Sequence, residues 1–125
     1  MSLLHAHLVF VTKYRRKLFT DAMLTFTENT MRGVCDDFAA EPVEFNGEDD
    51  HVHLLVAYPP TLTIATLVQR LKGRTAYAVR REFTGACIRA RMRGHLWSPS
   101  YLAVSYGGAP LSIIKQYIDG QARPL

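Results

Sequence analysis

Apolar and polar positions along the chain follow two different periods. Residues 5–12, HAHLVFVT, are rich in β-branched and aromatic side chains and run into a basic knot, KYRRK at 13–17, which predicts a strand. The period then changes. Met23, Phe26, Thr30, Val34 and Phe38 recur at helical spacing, and Thr20 or Asp21 is placed to cap that helix. Pro42 blocks its continuation, and PVEFNGE reads as a short strand closing on an Asn46-Gly47 turn, with a longer loop before the next strand at 51–58. Pro59-Pro60 ends that strand. Thr61 or Thr63 caps a second helix whose inward positions are Ile64, Leu67, Val68, Leu71, Thr75, Val79 and Phe83. GHLWSPSYLAVSYGG (94–108) is a further strand region. Gly107-Gly108 then makes a joint, and Pro110 suits the first turn of a last helix over 110–121.

The order β-α-β-β-α-β-α is the split βαβ pattern. It predicts an α+β fold, a ferredoxin-like or RRM-like antiparallel sheet with helices on one face, plus an extra C-terminal helix. No repeat, low-complexity tract or linker divides the 125 residues, so 1–125 reads as a single domain. An apolar fraction of 48% argues for a folded core. No apolar run nears the ~20 residues that span a bilayer, and the start lacks a basic n-region or cleavage site. Cys35 and Cys87 match no metal or redox spacing and read as reduced thiols. These features together predict a cytoplasmic protein with no membrane partner.

Net charge is only +4, but the charges are segregated. Residues 21–50 carry nine acids against Arg32 alone, whereas 66–95 carry eight bases against Glu82 alone. With the knot at 13–17 and the interleaved Tyr14 and Tyr77, this distribution suits a polyanion such as nucleic acid. A solvated surface is the plainer reading of the same charges. Arg89, Arg91 and Arg93 alternate, and form one basic edge if that stretch is extended, or a loop otherwise.

Two features can carry chemistry. In a strand, His51 and His53 share a face with Leu55 and Ala57, while Val52, Leu54 and Val56 point the other way, to the core. Such a pair either converges on one cation or is hydrogen-bonded at a sheet surface. On the last helix, Tyr117 and Gln121 are four apart and stack on one face beside the stripe of Leu111, Ile114 and Ile118, with Gly120 weakening the helix next to Gln121. A tyrosine there is ordinarily packing and a glutamine a surface amide. Taken together, the pieces suggest more. A phenol can attack a phosphodiester, and a divalent cation held by two neutral imidazoles and an amide oxygen keeps its full charge for the phosphate.

Five stretches then stand in one order over nearly the whole chain: HLVFVTKYRRKLF (7–19), DDHVHLLV (49–56), LVQRLKGRTAYAVRREF (67–83), LWSPSYLAVSYGG (96–108) and IIKQYIDGQ (113–121). In these the chain resembles the single-tyrosine transposases of the HUH (His-hydrophobic-His) superfamily, the small TnpA-type enzymes of IS-two-hundred-like insertion sequences. The resemblance implies that His51, His53 and Gln121 bind Mg²⁺ or Mn²⁺ and that Tyr117 is the nucleophile. It implies cutting of single-stranded DNA at hairpin-bearing element ends through a 5′-phosphotyrosine, with no nucleotide cofactor. It further implies a homodimer sharing its active sites, and hairpin contacts from Lys13, Arg15, Arg16, Arg70, Lys72, Arg74, Arg80 and Arg81. The rival readings are a replication- or relaxase-type nicking enzyme, a non-catalytic nucleic-acid-binding module on the same sheet, and a domesticated hairpin-DNA-binding relative.

Overall fold

Alternation builds the centre of the molecule. Strand β1 (Leu4–Thr12) pairs antiparallel with β3 (His51–Tyr58) in a register that sets Ala6 opposite Val56, Leu8 opposite Leu54 and Phe10 opposite Val52. All six side chains are fully buried on one face. The computed structural model describes residues 3–91 and 95–106. Two edge strands complete the sheet, β2 (Glu41–Gly47) beside β3 and β4 (Trp97–Tyr106) beside β1, in the order β2-β3-β1-β4. With the helices inserted between strands, this is the ferredoxin-like α+β topology expected from the element order. Pro42 and Pro99 sit in the two edge strands, beside the register irregularities at 42–44 and 10–12, where a missing ladder donor is tolerated.

Helices α1 (Asp21–Asp37) and α2 (Ile64–Glu82) cover the Leu8–Leu54 face. Both N-caps are threonines. The Met23 amide donates to Thr20 Oγ1 at 3.2 Å, and the Thr66 amide donates to Thr63 Oγ1 at 3.2 Å. The buried stripe of α2 is Leu67, Val68, Leu71, Thr75 and Val79, as its periodicity predicts. In α1 the stripe differs from the expected one: Met23, Thr27, Met31, Val34 and Cys35 are buried, and Thr30 is only half-buried. Thr27 can enter the core because its hydroxyl donates to the Met23 carbonyl at 2.8 Å, so no polar group is left unpaired.

One local expectation is corrected, and one alternative left open by the sequence is decided in part. Asn46 and Gly47 do not form the turn; both lie in β2, and the chain reverses over 48–50, closed by the Glu48 amide on the His51 carbonyl at 2.9 Å. Glycine is needed at 47 for room, since a Cβ there would meet Leu24 Cδ2 at 2.8 Å and the His51 carbonyl oxygen at 3.1 Å. The stretch after α2 is not an extended basic edge. Thr84–Arg89 forms a short helix, α3, and Arg91 takes left-handed backbone with φ 59°, its amide donating to the Ile88 carbonyl at 3.0 Å. Arg93, the Gly107-Gly108 joint and the expected helix over 110–121 lie outside the described residues. Cys35 and Cys87 are free and buried, and among the described residues no helix is long and apolar enough to cross a membrane.

One buried polar contact ties α2 to β4. Trp97 Nε1 donates to Thr75 Oγ1 at 2.8 Å, while the same hydroxyl donates to the Leu71 carbonyl at 2.7 Å. Thr75→Val leaves the indole N–H buried without an acceptor. It is therefore expected to lower unfolding stability by about 1–3 kcal/mol, measured by urea denaturation. A loss below ~0.5 kcal/mol would show that the indole finds another acceptor.

A paired-histidine candidate metal centre

The face of the sheet away from the helices carries the histidines. In the β1–β3 register Val11 stands opposite His51, Val9 opposite His53 and His7 opposite Leu55, so all of these share that face. The rings of His51 and His53 lie with centroids 5.0 Å apart and planes at 78°. With a nitrogen–metal bond of ~2.1 Å, two imidazoles sharing one cation come to about this separation.

His51 sits where β3 leaves the 48–50 turn, and that turn is clamped by the segment following β1. The Asp50 carbonyl accepts from the Thr12 amide at 2.9 Å, and the Asp49 carbonyl accepts from the amides of Leu18 at 2.7 Å and Phe19 at 2.9 Å. Within the knot, Tyr14 (φ 60°) and Arg15 (φ 51°) both adopt left-handed backbone, a costly choice for side-chain-bearing residues. This brings Arg15 Nε to 3.4 Å from Asp50 Oδ2, while Asp50 Oδ1 holds His51 Nδ1 at 2.7 Å. Burial raises the Asp50 carboxyl, but the hydrogen bond to His51 and the Arg15 guanidinium outweigh it and hold the group below its ordinary value. An ionised carboxylate only accepts, so His51 Nδ1 donates to Asp50 Oδ1, which fixes the ring with Nε2 turned away from the carboxylate.

His53 is braced from the opposite side. Its Nδ1 lies 3.0 Å from His7 Nε2, and His7 is itself buried. Burial first, then the neighbouring His7 and His51, lowers His53 to about 4. Burial likewise lowers His7, opposed by the Glu44 carboxylate. His53 and His7 are thus neutral at ordinary pH, and for His53 that is the state a metal ligand requires. Because the folded state disfavours these protons, the unfolded chain takes them up more readily. Their contribution to the stability of metal-free protein is complete above 6.5, the ordinary histidine value, and is lost as pH falls toward about 4. The thermal midpoint is expected to drop across that window, and less so in His53→Gln.

The remaining nitrogens point to a ligand. His51 Nε2 and His53 Nε2 are both buried and have no hydrogen-bond partner among the described residues. Glu48 Oε2 lies 3.6 Å from His51 Nε2, too far for a hydrogen bond, on an exposed side chain. Two adjacent unpartnered acceptors, each fixed through its other nitrogen, fit a cation bound from one side. Among the described residues no group of three or more His, Cys, Asp or Glu forms a complete metal site. Gln121, the expected third ligand, and Tyr117, the expected nucleophile, lie outside the described residues.

The expected DNA-contacting cations divide into groups. Lys13, Lys72 and Arg80 meet around a cleft of about 430 Å³ lined also by His95, Trp97 and Pro99. There Lys72 Nζ donates to the Ser98 carbonyl at 2.7 Å, and burial lowers its pKa. Arg15 is engaged with Asp50, and Arg16 lies 5.8 Å over the exposed Tyr14 ring. On the outer side of α2, Arg70 lies over Phe38, Arg74 is 3.7 Å from Asp37, and Arg81 donates to Tyr77 Oη at 3.0 Å. Since α2 packs on the opposite face of the sheet, these three are separated from the histidine pair. Sequence reasoning did not single out His7, Asp50 or the role of Arg15. HAH at 5–7 repeats the spacing of HVH at 51–53 and was a usable signal for His7, but only strand register shows which histidine meets which.

The ferredoxin-like sheet carries a histidine pair on a central strand, and comparison with known proteins is specific. The chain belongs to the IS200-like transposase family, whose model matches residues 1–121. It is 28% identical over 120 residues to the ISDra2 transposase TnpA of Deinococcus radiodurans, covering 94% of this chain and 84% of that protein. It is 27% identical over 115 residues to the transposase of insertion sequence IS200 from Salmonella typhimurium, covering 92% and 74%. Among solved structures, a Deinococcus radiodurans R1 protein assigned as a transposase superposes with a TM-score of 0.76 at 28% identity, covering 97% of this chain and 92% of that one. A REP-associated tyrosine transposase bound to a REP hairpin shares the fold, with a TM-score of 0.68 at 11% identity over 95% and 64%. The protein is accordingly an IS200-like transposase, a DNA-cleaving and strand-transferring enzyme by family.

Proposed function

We propose that this transposase cuts and rejoins single-stranded DNA at hairpin-bearing element ends through a 5′-phosphotyrosine on Tyr117. The observation that carries the reading is the pair of buried, unpartnered Nε2 atoms of His51 and His53. The hairpin-bound tyrosine transposase of the same fold supports the substrate class.

In this reading the Tyr117 phenol oxygen attacks the scissile phosphorus, the bond from phosphorus to the 3′ oxygen breaks, and the phenolic proton leaves as the 3′-hydroxyl forms. The phosphoester energy is kept in the protein–DNA bond, so a second 3′-hydroxyl can reverse the step without water or ATP. His51, His53 and Gln121 would hold Mg²⁺ or Mn²⁺. Such an ion supplies Lewis-acid stabilisation of the charge developing on the phosphate. Asp50 fixes the orientation of His51, and Arg15 fixes Asp50. Lys13, Lys72 and Arg80 line a cleft of a size and charge that suit a nucleotide, and Arg16 with the exposed Tyr14 offers a cationic stacking platform. Arg70, Arg74 and Arg81 extend that positive surface along α2. The working unit is a homodimer in which the histidine pair of one protomer meets the tyrosine helix of its partner.

A denaturing gel of the protein with labelled single-stranded hairpin DNA tests the reading, run with Mg²⁺, with Mn²⁺ and with chelator. A covalent adduct that appears only with metal is the expected result. Tight hairpin binding with no adduct under any metal would replace it with the non-catalytic binding module.

A further inference from the structure

The geometry points to His7 as a positioning residue: its Nε2 accepts the Nδ1–H of His53 and so holds His53 in the tautomer whose Nε2 lone pair faces the cation site. The inference rests on the metal reading above and adds a residue to it.

The contact is directional. His7 Nε2 and His53 Nδ1 are 3.0 Å apart, the ring centroids 5.2 Å, and the planes differ by only 13°. The centroid separation is nearly as large as that nitrogen contact allows, so the rings meet edge to edge and do not stack face on face. A shared proton therefore lies along the in-plane lone-pair direction of both nitrogens. A neutral imidazole has one donor and one acceptor nitrogen, so a proton at His53 Nδ1 leaves Nε2 as the acceptor.

His51 shows the same logic with a different partner. Its Nδ1 meets Asp50 Oδ1, an acceptor only, and its Nε2 is buried without a hydrogen-bond partner. Among the described residues no carboxylate hydrogen-bonds His53; His7 occupies that place and supplies a neutral acceptor. The two imidazoles therefore present matching lone pairs through unlike braces, one charged and one neutral. His7 is not itself a ligand, since the nitrogen it aims at the pair is occupied by His53. It lies on the face away from the apolar core, so its substitution leaves the packing of that core unchanged.

The test compares wild type, His7→Leu, which removes the acceptor, and His7→Gln, whose Oε1 restores an acceptor near Nε2. Long-range ¹H–¹⁵N correlations on metal-free protein read the His53 tautomer, and paramagnetic titration with Mn²⁺ alone reads affinity. Wild type and His7→Gln are expected to show an unprotonated Nε2 on His53. His7→Leu is expected to populate the Nε2–H form and to bind Mn²⁺ about 10–100-fold more weakly. An unchanged tautomer together with unchanged Mn²⁺ affinity in His7→Leu overturns the inference and leaves the metal reading standing. A wild type that binds no Mn²⁺ while His7→Leu still shifts the tautomer supports the positioning role and removes the metal reading.

Discussion

Tyr117→Phe is expected to abolish the covalent protein–DNA adduct, a loss of about 10⁴-fold or more in cleavage rate, while hairpin affinity is retained. The change removes one oxygen, the atom proposed to form the phosphoester, and keeps the aromatic ring. The described tyrosines supply the controls. Tyr58 is buried at the opposite end of β3 from His51, and Tyr77 is exposed on α2 across the sheet. Tyr14 is the rival, because it is exposed and follows the strand end that pairs with His51. Tyr14→Phe is expected to keep the adduct. Loss of the adduct in Tyr14→Phe and its survival in Tyr117→Phe would move the nucleophile to the basic knot. Single-turnover cleavage of a labelled hairpin strand, with binding measured in parallel by anisotropy, reads both effects.

The second large effect belongs to the histidine pair. His51→Ala and His53→Ala each delete one of two adjacent lone pairs and are expected to slow metal-dependent cleavage by about 10³-fold. That exceeds the 10–100-fold typical of losing an outer partner. The two should behave alike despite their unlike braces, since each is expected to contribute one bond to the same ion. Raised Mn²⁺ should recover part of the rate. Wild-type cleavage with wild-type metal dependence in His53→Ala would sink the metal assignment. Mixing the two inactive proteins tests the shared site. A heterodimer of His53→Ala with Tyr117→Phe holds one intact pairing only if the tyrosine acts across the dimer, so activity recovered on mixing separates that arrangement from one confined within a protomer.

Much of the scaffold was legible from local pattern. The strand at 51–58 begins and ends where the apolar run and Pro59-Pro60 place it, and the α2 stripe is buried as its spacing demands. Threonine caps at 20 and 63 mark both long helices. Errors occurred where local chemistry was ambiguous. Asn46-Gly47 has the composition of a turn, yet Gly47 is required by the close approach of Leu24 and the His51 carbonyl, which a turn rule cannot see. Thr30 and Thr27 are interchangeable by polarity, and the helix twist from Met23 selects Thr27. The alternation of Arg89, Arg91 and Arg93 left an extended edge and a loop both open, and Arg89 instead closes a short helix.

The candidate site divides in the same way. That His51 and His53 share a face follows from strand alternation alone, because i and i+2 side chains always project to the same side. What stands behind them does not follow from it. His7 reaches His53 across 46 residues of chain, and Arg15 reaches Asp50 only after the knot takes up two left-handed residues. Periodicity is a property of neighbouring residues and is written in the chain. Register, bracing and the neutral state of a buried imidazole arise only when distant strands are brought side by side and water is excluded from between them.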